Sequence, residues 1–469
     1  MKHLILGAVS TAALLLAGSA FAQNVTIINQ QGSNNSASAD QSAGANELTQ
    51  INQISSSNIA TVTQGGFNDE TFVDQDTDGT YTASSATVTQ IGQNGTFQIA
   101  QHGFNSAVAT QGASSIGETG YITQTGYNPG TGAFLEQNGF GNNGWIMQTG
   151  NFNVSIVTQI GSGGAYTSPV AEDVIPGTLN AGDFGVRQGG GSQQVGNYNT
   201  SVINQEGDNS VAVNEATGNG NFQWITQNGL ANQATGFFLT IGSNNSDSLT
   251  QVSGAAYSGA AQKSEGGNIT VYQDGASTAL IGQGTHVDSI GIPFNDGPDT
   301  QGASAYVSQT GDGHFANIIQ FGDYTTADIT QVSGGANVGD EADINQGGQG
   351  DLGTISQGGS GDFSHILQSG VSDTAYSTQA AGTDTEGSDI QQSGAFDTAS
   401  VNQAGQQETS QVFQQGDSNN AQVDQAGFGN TSVISQGGSS NYAYVSQHGA
   451  NASSTVTQNG SGNSAFVHQ

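Results

Sequence analysis

The 469-residue chain contains no cysteine, and only three of its residues are lysine or arginine. Without cysteine the chain can form neither disulfides nor thiolate metal sites, so its stability must come from its core and its backbone hydrogen bonds. Without clustered cations it lacks the groups that bind phosphates, which argues against nucleic acid as a partner. These two absences narrow the choice of function before any motif is considered.

Sequence signatures of catalysis are missing as well. No G-x-S-x-G or Walker motif occurs, and the two G-x-G-x-x-G matches, at 139–144 and 348–353, lack the preceding hydrophobic strand and following helix that would give them meaning. The seven histidines show no paired ligand spacing and are expected at turns or on the surface. We therefore predict that the protein is not an enzyme and has no cofactor, no catalytic residue and no designed metal site.

Residues 1–22 have the pattern of a secretory signal peptide. A basic start at Lys2 precedes a short apolar run, and small residues lead to an expected cleavage between Ala22 and Gln23. The apolar run is too short for a permanent transmembrane helix, and no later segment is apolar enough. The sequence therefore predicts a secreted protein without an integral membrane segment.

The remaining chain is strongly acidic. Once Lys2 is removed, two basic residues face 37 acids. Such charges keep a chain soluble and delay its association until pH, salt or a template overcomes their repulsion. Residues 323–392 carry eleven acids, whereas residues 393–469 carry four. We expect the C-terminal stretch to assemble fastest and the acidic stretch slowest.

Glutamine recurs at every eleventh position of the C-terminal part of the chain. A period held through seven intervals is typical of a stacked repeat, in which no repeat can bury a face alone. The same spacing runs, with slips, through the rest of the chain. The glutamines of the regular stretch are Gln392, Gln403, Gln414, Gln425, Gln436, Gln447, Gln458 and Gln469.

The constrained residues of each repeat lie at alternate positions. In the last seven repeats, counted from the residue after each glutamine, position five is mostly Asn or an acid, position seven Ala or Ser, position nine Val or Ile, and position eleven Gln. Alternate side chains of a strand point to opposite faces, so these four positions share one face. We predict that this face, Asn441, Ala443, Val445 and Gln447 in one repeat, is interior and that the other meets solvent or a partner.

Stacked amides and glycine turns complete the predicted fold. Identical Gln or Asn side chains can hydrogen-bond along a stack, which makes these residues candidates for self-assembly. Glycine at position two supplies the positive φ that a tight reversal needs. Besides the glutamines, the predicted ladder includes Asn419, Asn430, Asn441 and Asn463. The predicted turn glycines are Gly405, Gly416, Gly427, Gly438, Gly449 and Gly460.

The resulting fold class is all-β. We predict a repetitive β-solenoid of strand-turn-strand rungs, about 11 residues per strand and about 22 per rung, with amyloid-like cross-β stacking. The five prolines fall where the period fails, and proline is excluded from central strands. The predicted organisation is a signal peptide (1–22), repeat blocks at 23–161, 188–275 and 302–469, and proline-containing insertions at 162–187 and 276–301.

The closing repeats resemble the curlin repeat, Gln-x-Gly-x-x-Asn-x-Ala-x-x-x-Gln. The last repeat matches its five fixed positions with Gln458, Gly460, Asn463, Ala465 and Gln469. An earlier repeat matches with Gln425, Gly427, Asn430 and Gln436, and has Ser432 where Ala is usual. The chain thus looks like a member of the curlin-repeat family.

This resemblance implies a subunit of curli-type functional amyloid that forms cell-surface fibres for adhesion and biofilm matrix. It also implies self-association, other curlin-type subunits as partners, an outer-membrane export pore and a periplasmic chaperone. Two alternatives stay open. One is a monomeric, capped β-solenoid that acts as an adhesin or surface-binding protein. The other is an exported solenoid that folds on binding calcium, since 347–351 and 358–362 come close to the turns of calcium-binding solenoids.

Overall fold

The computed structural model describes residues 24–76, 83–162, 189–207, 210–228, 234–284, 300–332, 339–380 and 385–469. In these ranges the regular structure consists of β-strands, and no helix is present that is long and apolar enough to cross a membrane. The chain divides into two compact units. The first contains strands β1–β14 and the second contains β15–β35.

Strands of the first unit are short, apart from two long ones that turn a corner. Their bounds are β1 Val25–Gln31, β2 Ser36–Asp40, β3 Leu48–Ile54, β4 Ile59–Gln64, β5 Glu70–Asp76, β6 Ser85–Gln90, β7 Thr96–Gln111, β8 Thr119–Phe140, β9 Asn143–Thr149, β10 Val154–Ser162, β11 Gly189–Val195, β12 Thr200–Glu206, β13 Val211–Thr217 and β14 Phe222–Asn228.

The second unit repeats the same strand more regularly. Its bounds are β15 Thr235–Ser243, β16 Ser246–Gln251, β17 Tyr257–Glu265, β18 Asn268–Asp274, β19 Thr278–Gln283, β20 Thr300–Gln301, β21 Ser304–Thr310, β22 Phe315–Gln320, β23 Thr326–Val332, β24 Glu341–Gln346, β25 Leu352–Gln357, β26 Phe363–Gln368, β27 Thr374–Gln379, β28 Gly387–Ala395, β29 Thr398–Gln403, β30 Thr409–Asp417, β31 Asn420–Gln425, β32 Thr431–Ser439, β33 Tyr442–Gln447, β34 Ser453–Ser461 and β35 Ser464–His468.

Each regular strand pairs in parallel with the next strand but one. β30 pairs with β32 and β31 with β33, each time with a partner 22 residues later, such as Thr409 with Thr431. Successive strands therefore alternate between two parallel sheets, and two repeats make one rung. This geometry confirms the predicted all-β solenoid and its rung of about 22 residues.

The core lies between the two sheets and is built from the constrained positions of the repeat. In β31 the side chains of Ala421, Val423 and Gln425 are buried, while Asn420 and Gln422 are partly exposed. The predicted interior face is thereby confirmed for this strand. Alanine and serine at position seven leave little volume between the sheets, so the opposed backbones can approach closely.

The corners between strands depend on a position that the sequence left variable. Position four is in the left-handed region in each of the last seven repeats, with φ between 55° and 68°. It is occupied by Phe396, Gln407, Ser418, Gly429, Ser440, Asn451 and Gly462. Asparagine holds the equivalent place at Asn34, Asn68 and Asn94. Asn tolerates this conformation better than other non-glycine residues. The asparagines of those repeats could therefore have predicted a left-handed corner from the sequence.

Two regions of the described structure differ from the predicted positions of the insertions and of the prolines. Strand β19 lies inside the range 276–301, which was expected to be an insertion, yet it pairs with β17 and β22 over its whole length. Regular stacking therefore extends to Gln283. Pro129 lies in β8, where the pairing register with β7 shifts after the pair Asn105–Asn128. A residue without a backbone N–H fits such an interruption.

Candidate functional site

The repeated glutamines form two columns, one in each sheet. Each side chain donates from Nε2 to Oε1 of the glutamine one rung later, over 2.8–3.0 Å in the C-terminal repeats. One column contains Gln392, Gln414, Gln436 and Gln458. The other contains Gln403, Gln425, Gln447 and Gln469. The eleven-residue period thus splits into two interleaved ladders, because consecutive strands belong to opposite sheets.

Each amide also ties the two sheets together. Nε2 of Gln436 donates to the backbone carbonyl of Asn420 at 3.0 Å, and Nε2 of Gln458 donates to that of Tyr442 at 3.0 Å. Both carbonyls belong to strands of the opposite sheet. The Gln436 amide therefore uses both hydrogens and its oxygen while the side chain is buried, which removes the cost of burying a polar group.

The glutamine columns have a direction. In both units the donor is always the residue nearer the N-terminus, from Gln30 to Gln53 in the first unit and through Gln447 to Gln469 in the second. Gln458 and Gln469 end the columns in β34 and β35, and in the described residues no later glutamine accepts from them. The β34–β35 end of the second unit therefore presents amide donors. The β1–β2 end of the first unit presents the matching Gln30 oxygen.

A second kind of column runs along each corner at position five. The Oδ1 of Asn419 accepts from the backbone N–H of Asn441 at 3.1 Å, and Oδ1 of Asn441 accepts from that of Asn463 at 3.0 Å. Nδ2 of Asn441 also donates to the carbonyl of Gly460 at 3.0 Å. Asn430 lies in the corner column of the other sheet, where Nδ2 donates to Glu408. The four predicted asparagines are thus divided between two columns.

The predicted turn glycines differ in their backbone conformation. Gly416, Gly427, Gly438 and Gly460 have positive φ, whereas Gly405 and Gly449 do not. The expected positive φ is therefore wrong for these two. Close stacking is the shared reason at the inner corners, since a Cβ on Gly427 would lie 1.9 Å from the carbonyl oxygen of Gly449. At Gly449 itself, in the last rung, no atom lies within 4 Å of such a Cβ.

Carboxylic acids occupy many of the corner positions that asparagine fills elsewhere. Burial raises the pKa of the corner residue Glu118 to about 8, and inside strand β13 burial raises the pKa of Glu215 to about 7. Burial, with a smaller contribution from the neighbouring Glu47 carboxylate, raises the pKa of Asp69 to about 7. Burial likewise raises the pKa of Asp373 to about 6. Sequence reasoning treated these acids as surface charges and missed their burial, although Asp69 and Asp373 occupy position five, which lies on the predicted interior face.

The histidines were predicted at turns or on the surface, and the described structure adds that one of those at a corner is buried. His314 is buried at the corner before β22, where Nδ1 accepts from the backbone N–H of Asp340 at 3.2 Å. The side chains of His102 and His448 are about half exposed. His314 differs because it occupies position five, where a ring nitrogen replaces the amide oxygen. In the described ranges no group of three or more His, Asp or Glu residues is arranged to hold a metal ion.

Two sequence predictions lie outside the described residues. The cleavage position between Ala22 and Gln23 precedes the first described residue, Asn24. Most of the proline-containing range 162–187 is likewise outside, and so are residues 285–299 of the second range. The signal peptide and the roles of both ranges stay predictions.

Together, the sheets and columns define a repeat-built parallel β-solenoid whose interior is held by amide ladders. Its architecture is structural rather than enzymatic. Residues 416–449 match the family model of the curlin associated repeat. This match confirms the resemblance to curlin-repeat proteins and includes predicted ladder residues of both columns. A search of curated proteins returns no match to the chain.

Proposed function

We propose that this protein is a secreted structural subunit that assembles into extracellular cross-β fibres for adhesion and biofilm matrix. The curlin repeat at residues 416–449 supports a curli-type structural role. The observation that carries the proposal is the direction of the glutamine columns. Because the β34–β35 rung carries amide donors and the β1–β2 rung carries a matching acceptor, the donor rung of one copy can receive the acceptor rung of the next, and a repeated heterologous contact of this kind generates a filament.

The last rung supports the same proposal. Inner corner glycines are required by the carbonyl of the following rung, but Gly449 has neither a positive φ nor a neighbour within 4 Å of an added Cβ. A following rung from a second copy would supply that neighbour. Strands β34 and β35 pair on one side only in the described structure, and Gln458 and Gln469 end its donor columns. In the proposed fibre a second copy of this chain, which carries the same repeats, stacks on β34 and β35.

The test is a fibre-growth time course by thioflavin fluorescence on chain released from denaturant at neutral pH, with and without preformed seeds. We expect seeds to shorten the lag and the product to give cross-β spacings of about 4.8 Å. Gly449→Ala should leave the soluble chain folded but slow elongation, because the added Cβ meets the incoming rung.

Gly65→Ala is the matched control for that substitution. Its added Cβ would lie 3.6 Å from the nearest atom, an ordinary contact, and elongation should be unchanged. Equal elongation rates for Gly449→Ala and the wild type would contradict stacking on this end. A folded monomer that ignores seeds would overturn the fibre role in favour of a capped solenoid. Folding only after calcium addition would favour the calcium-dependent alternative.

A further inference from the structure

Three consecutive rungs of the second unit carry aspartate at the corner position where the following rungs carry asparagine. Asp351, Asp373 and Asp397 stack in one column that continues into Asn419 and Asn441. Each aspartate accepts from the backbone N–H of the next residue in the column, at 3.0, 2.9 and 2.8 Å in turn. All three side chains are buried. We refer to these three residues as the acid column.

The second carboxyl oxygen distinguishes the acid column from the asparagine column. In Asn419 the second side-chain atom is an amide nitrogen, which donates to the carbonyl of Gly438 at 3.1 Å. The corresponding Oδ2 atoms of Asp351, Asp373 and Asp397 are buried and make no hydrogen bond of normal geometry. The backbone N–H of Gly348 approaches the Asp351 carboxyl group closely enough to oppose the rise of its pKa, but burial has the larger effect. A carboxylate has no hydrogen to donate at this place, whereas a neutral carboxyl group has one.

The corner geometry places an acceptor opposite that oxygen. A Cβ built on Gly348 would lie 2.5 Å from Oδ2 of Asp351 and 1.9 Å from the carbonyl oxygen of Gly370. A Cβ on Gly370 would similarly lie 2.2 Å from Oδ2 of Asp373 and 2.2 Å from the carbonyl oxygen of Gly394. At the corners of Asp351 and Asp373, a carboxyl oxygen and a backbone carbonyl oxygen therefore flank the same point. Protonation of the carboxyl group supplies the hydrogen that asparagine carries permanently.

Neighbouring charges do not compensate the column. Its electrostatic neighbours are its own members and Asp417, an exposed carboxylate at the end of β30. Thr325 precedes it and Asn419 follows it, and both are uncharged. The opposite corner carries four further acids and one histidine in the same rungs, namely His314, Asp340, Asp362, Glu386 and Glu408. With no cation in the column itself, ionisation leaves stacked negative charges in the interior.

We propose that the rungs from β25 to β29 form with the acid column neutral and open when its carboxyl groups ionise. The folding of this segment then depends on pH, whereas that of the asparagine-containing rungs that follow it does not. This inference concerns the folding of the single chain and does not depend on fibre formation. On the sequence alone, slow assembly of residues 323–392 is attributed to repulsion between surface charges. The inference gives a different reason, which is that burying a charged carboxylate costs free energy.

The direction of the pH dependence follows from linkage. Burial raises the pKa of each of the three carboxyl groups above the ordinary aspartate value of 3.8, to about 6 for Asp373. A raised pKa in the folded state means that the stabilisation is complete below the unfolded pKa and is lost as pH rises through the folded one. The rungs should therefore be most stable near pH 4 and weakest above about pH 7.

The experiment is hydrogen exchange of the soluble full chain between pH 4 and pH 8, corrected for intrinsic exchange rates, at low and high salt. In the wild type, protection of β25, β27 and β29 should fall on the order of 100-fold for the shift of Asp373 alone. The triple variant Asp351→Asn, Asp373→Asn, Asp397→Asn should keep its protection at pH 8. The variant Glu206→Gln, Glu265→Gln, Glu341→Gln, which removes three exposed charges that do not neighbour the acid column, should behave like the wild type.

A reciprocal variant covers the case in which the triple variant does not fold. Asn419→Asp with Asn441→Asp extends the acid column toward the C-terminus and should make β31 and β33 pH-dependent. The same pH profile in the wild type and the triple variant, or no new pH dependence in the reciprocal variant, would overturn the inference. Protection restored at pH 8 by salt alone would also overturn it, since screening acts on exposed charges far more than on buried ones. Fibre formation is not the readout, so these outcomes are independent of the proposed function.

Discussion

At the scale of single residues, glutamine does what an apolar side chain cannot do in this core. Gln436 accepts from Gln414, donates to Gln458 and donates across to the Asn420 carbonyl. Each rung is thus bound to the rungs before and after it and to the opposite sheet. The glutamine ladder stabilises the core only if every amide has all its hydrogen-bond partners, because a buried amide that loses one partner costs free energy.

Replacing Gln436 by alanine should therefore destabilise the C-terminal rungs. The change leaves Nε2 of Gln414 and Oε1 of Gln458 without their partners, and each buried unsatisfied group costs about 1–3 kcal/mol. We expect a lower denaturant midpoint and faster hydrogen exchange in β30 and β34. Gln411→Ala, on the partly exposed outer face of β30, is the control and should have little effect. Equal midpoints for the two variants would contradict the role of the ladder.

At the scale of elements, the corners limit the regularity of the stack more than the strands do. Every strand needs a reversal that fits between the rungs above and below it. Position two stays glycine because neighbouring corners touch, and position four adopts a left-handed conformation whichever residue is present. Phe396 is the least suited occupant, since it has φ 61° and a side chain that is 62% exposed. Its ring gains little burial in return for the strained backbone.

Phe396→Asn should stabilise the corner between β28 and β29 by about 1 kcal/mol, because Asn tolerates the left-handed region better. The measurement is the change in denaturant midpoint, with m unchanged. Phe363→Asn is the matched control, since Phe363 is 43% exposed on the outer face of an extended strand, where Asn is disfavoured. If both substitutions raised the denaturant midpoint, the stabilisation would come from removing an exposed phenylalanine and not from relieving the positive φ.

At the scale of the whole molecule, stability is local. In the C-terminal repeats each rung contacts its neighbours through backbone pairs and two glutamine columns, as expected for a solenoid with nearest-neighbour energetics. The rungs also tolerate longer corners, since linked glutamines are 22, 24 or 26 residues apart at different places. The number of rungs is therefore not fixed by the fold itself, provided that whole rungs are present.

Deleting one complete rung should consequently leave the rest of the solenoid intact. Removing residues Ala426–Gln447 takes out β32 and β33, joins Gln425 to His448 and lets β34 stack on β30 in register. We expect hydrogen-exchange protection of β34 and β35 to persist. Removing Ala426–Gly449 takes two more residues, shortens the next corner and should abolish that protection. Persistence after both deletions would show that the corner length is not limiting.

The sequence by itself determined the strands, the rung length and the interior face. The reason is that a strict eleven-residue period leaves one way to align equivalent side chains, and alternation along a strand then separates inside from outside. From those rules the stacking of glutamine on glutamine follows. The sequence also contained the curlin-like spacing of Gln, Gly and Asn.

Only the tertiary structure decided how the repeated residues are shared between two sheets, and therefore which ones touch. It divided eight glutamines into two directed columns and paired Asn430 with Glu408 rather than with Asn419. It also buried Asp351, Asp373 and Asp397 beside backbone carbonyls, which composition alone presents as solubilising charges. The physical reason is that direction, corner conformation and carboxyl burial depend on contacts about 22 residues apart, which the preferences of a single repeat do not encode.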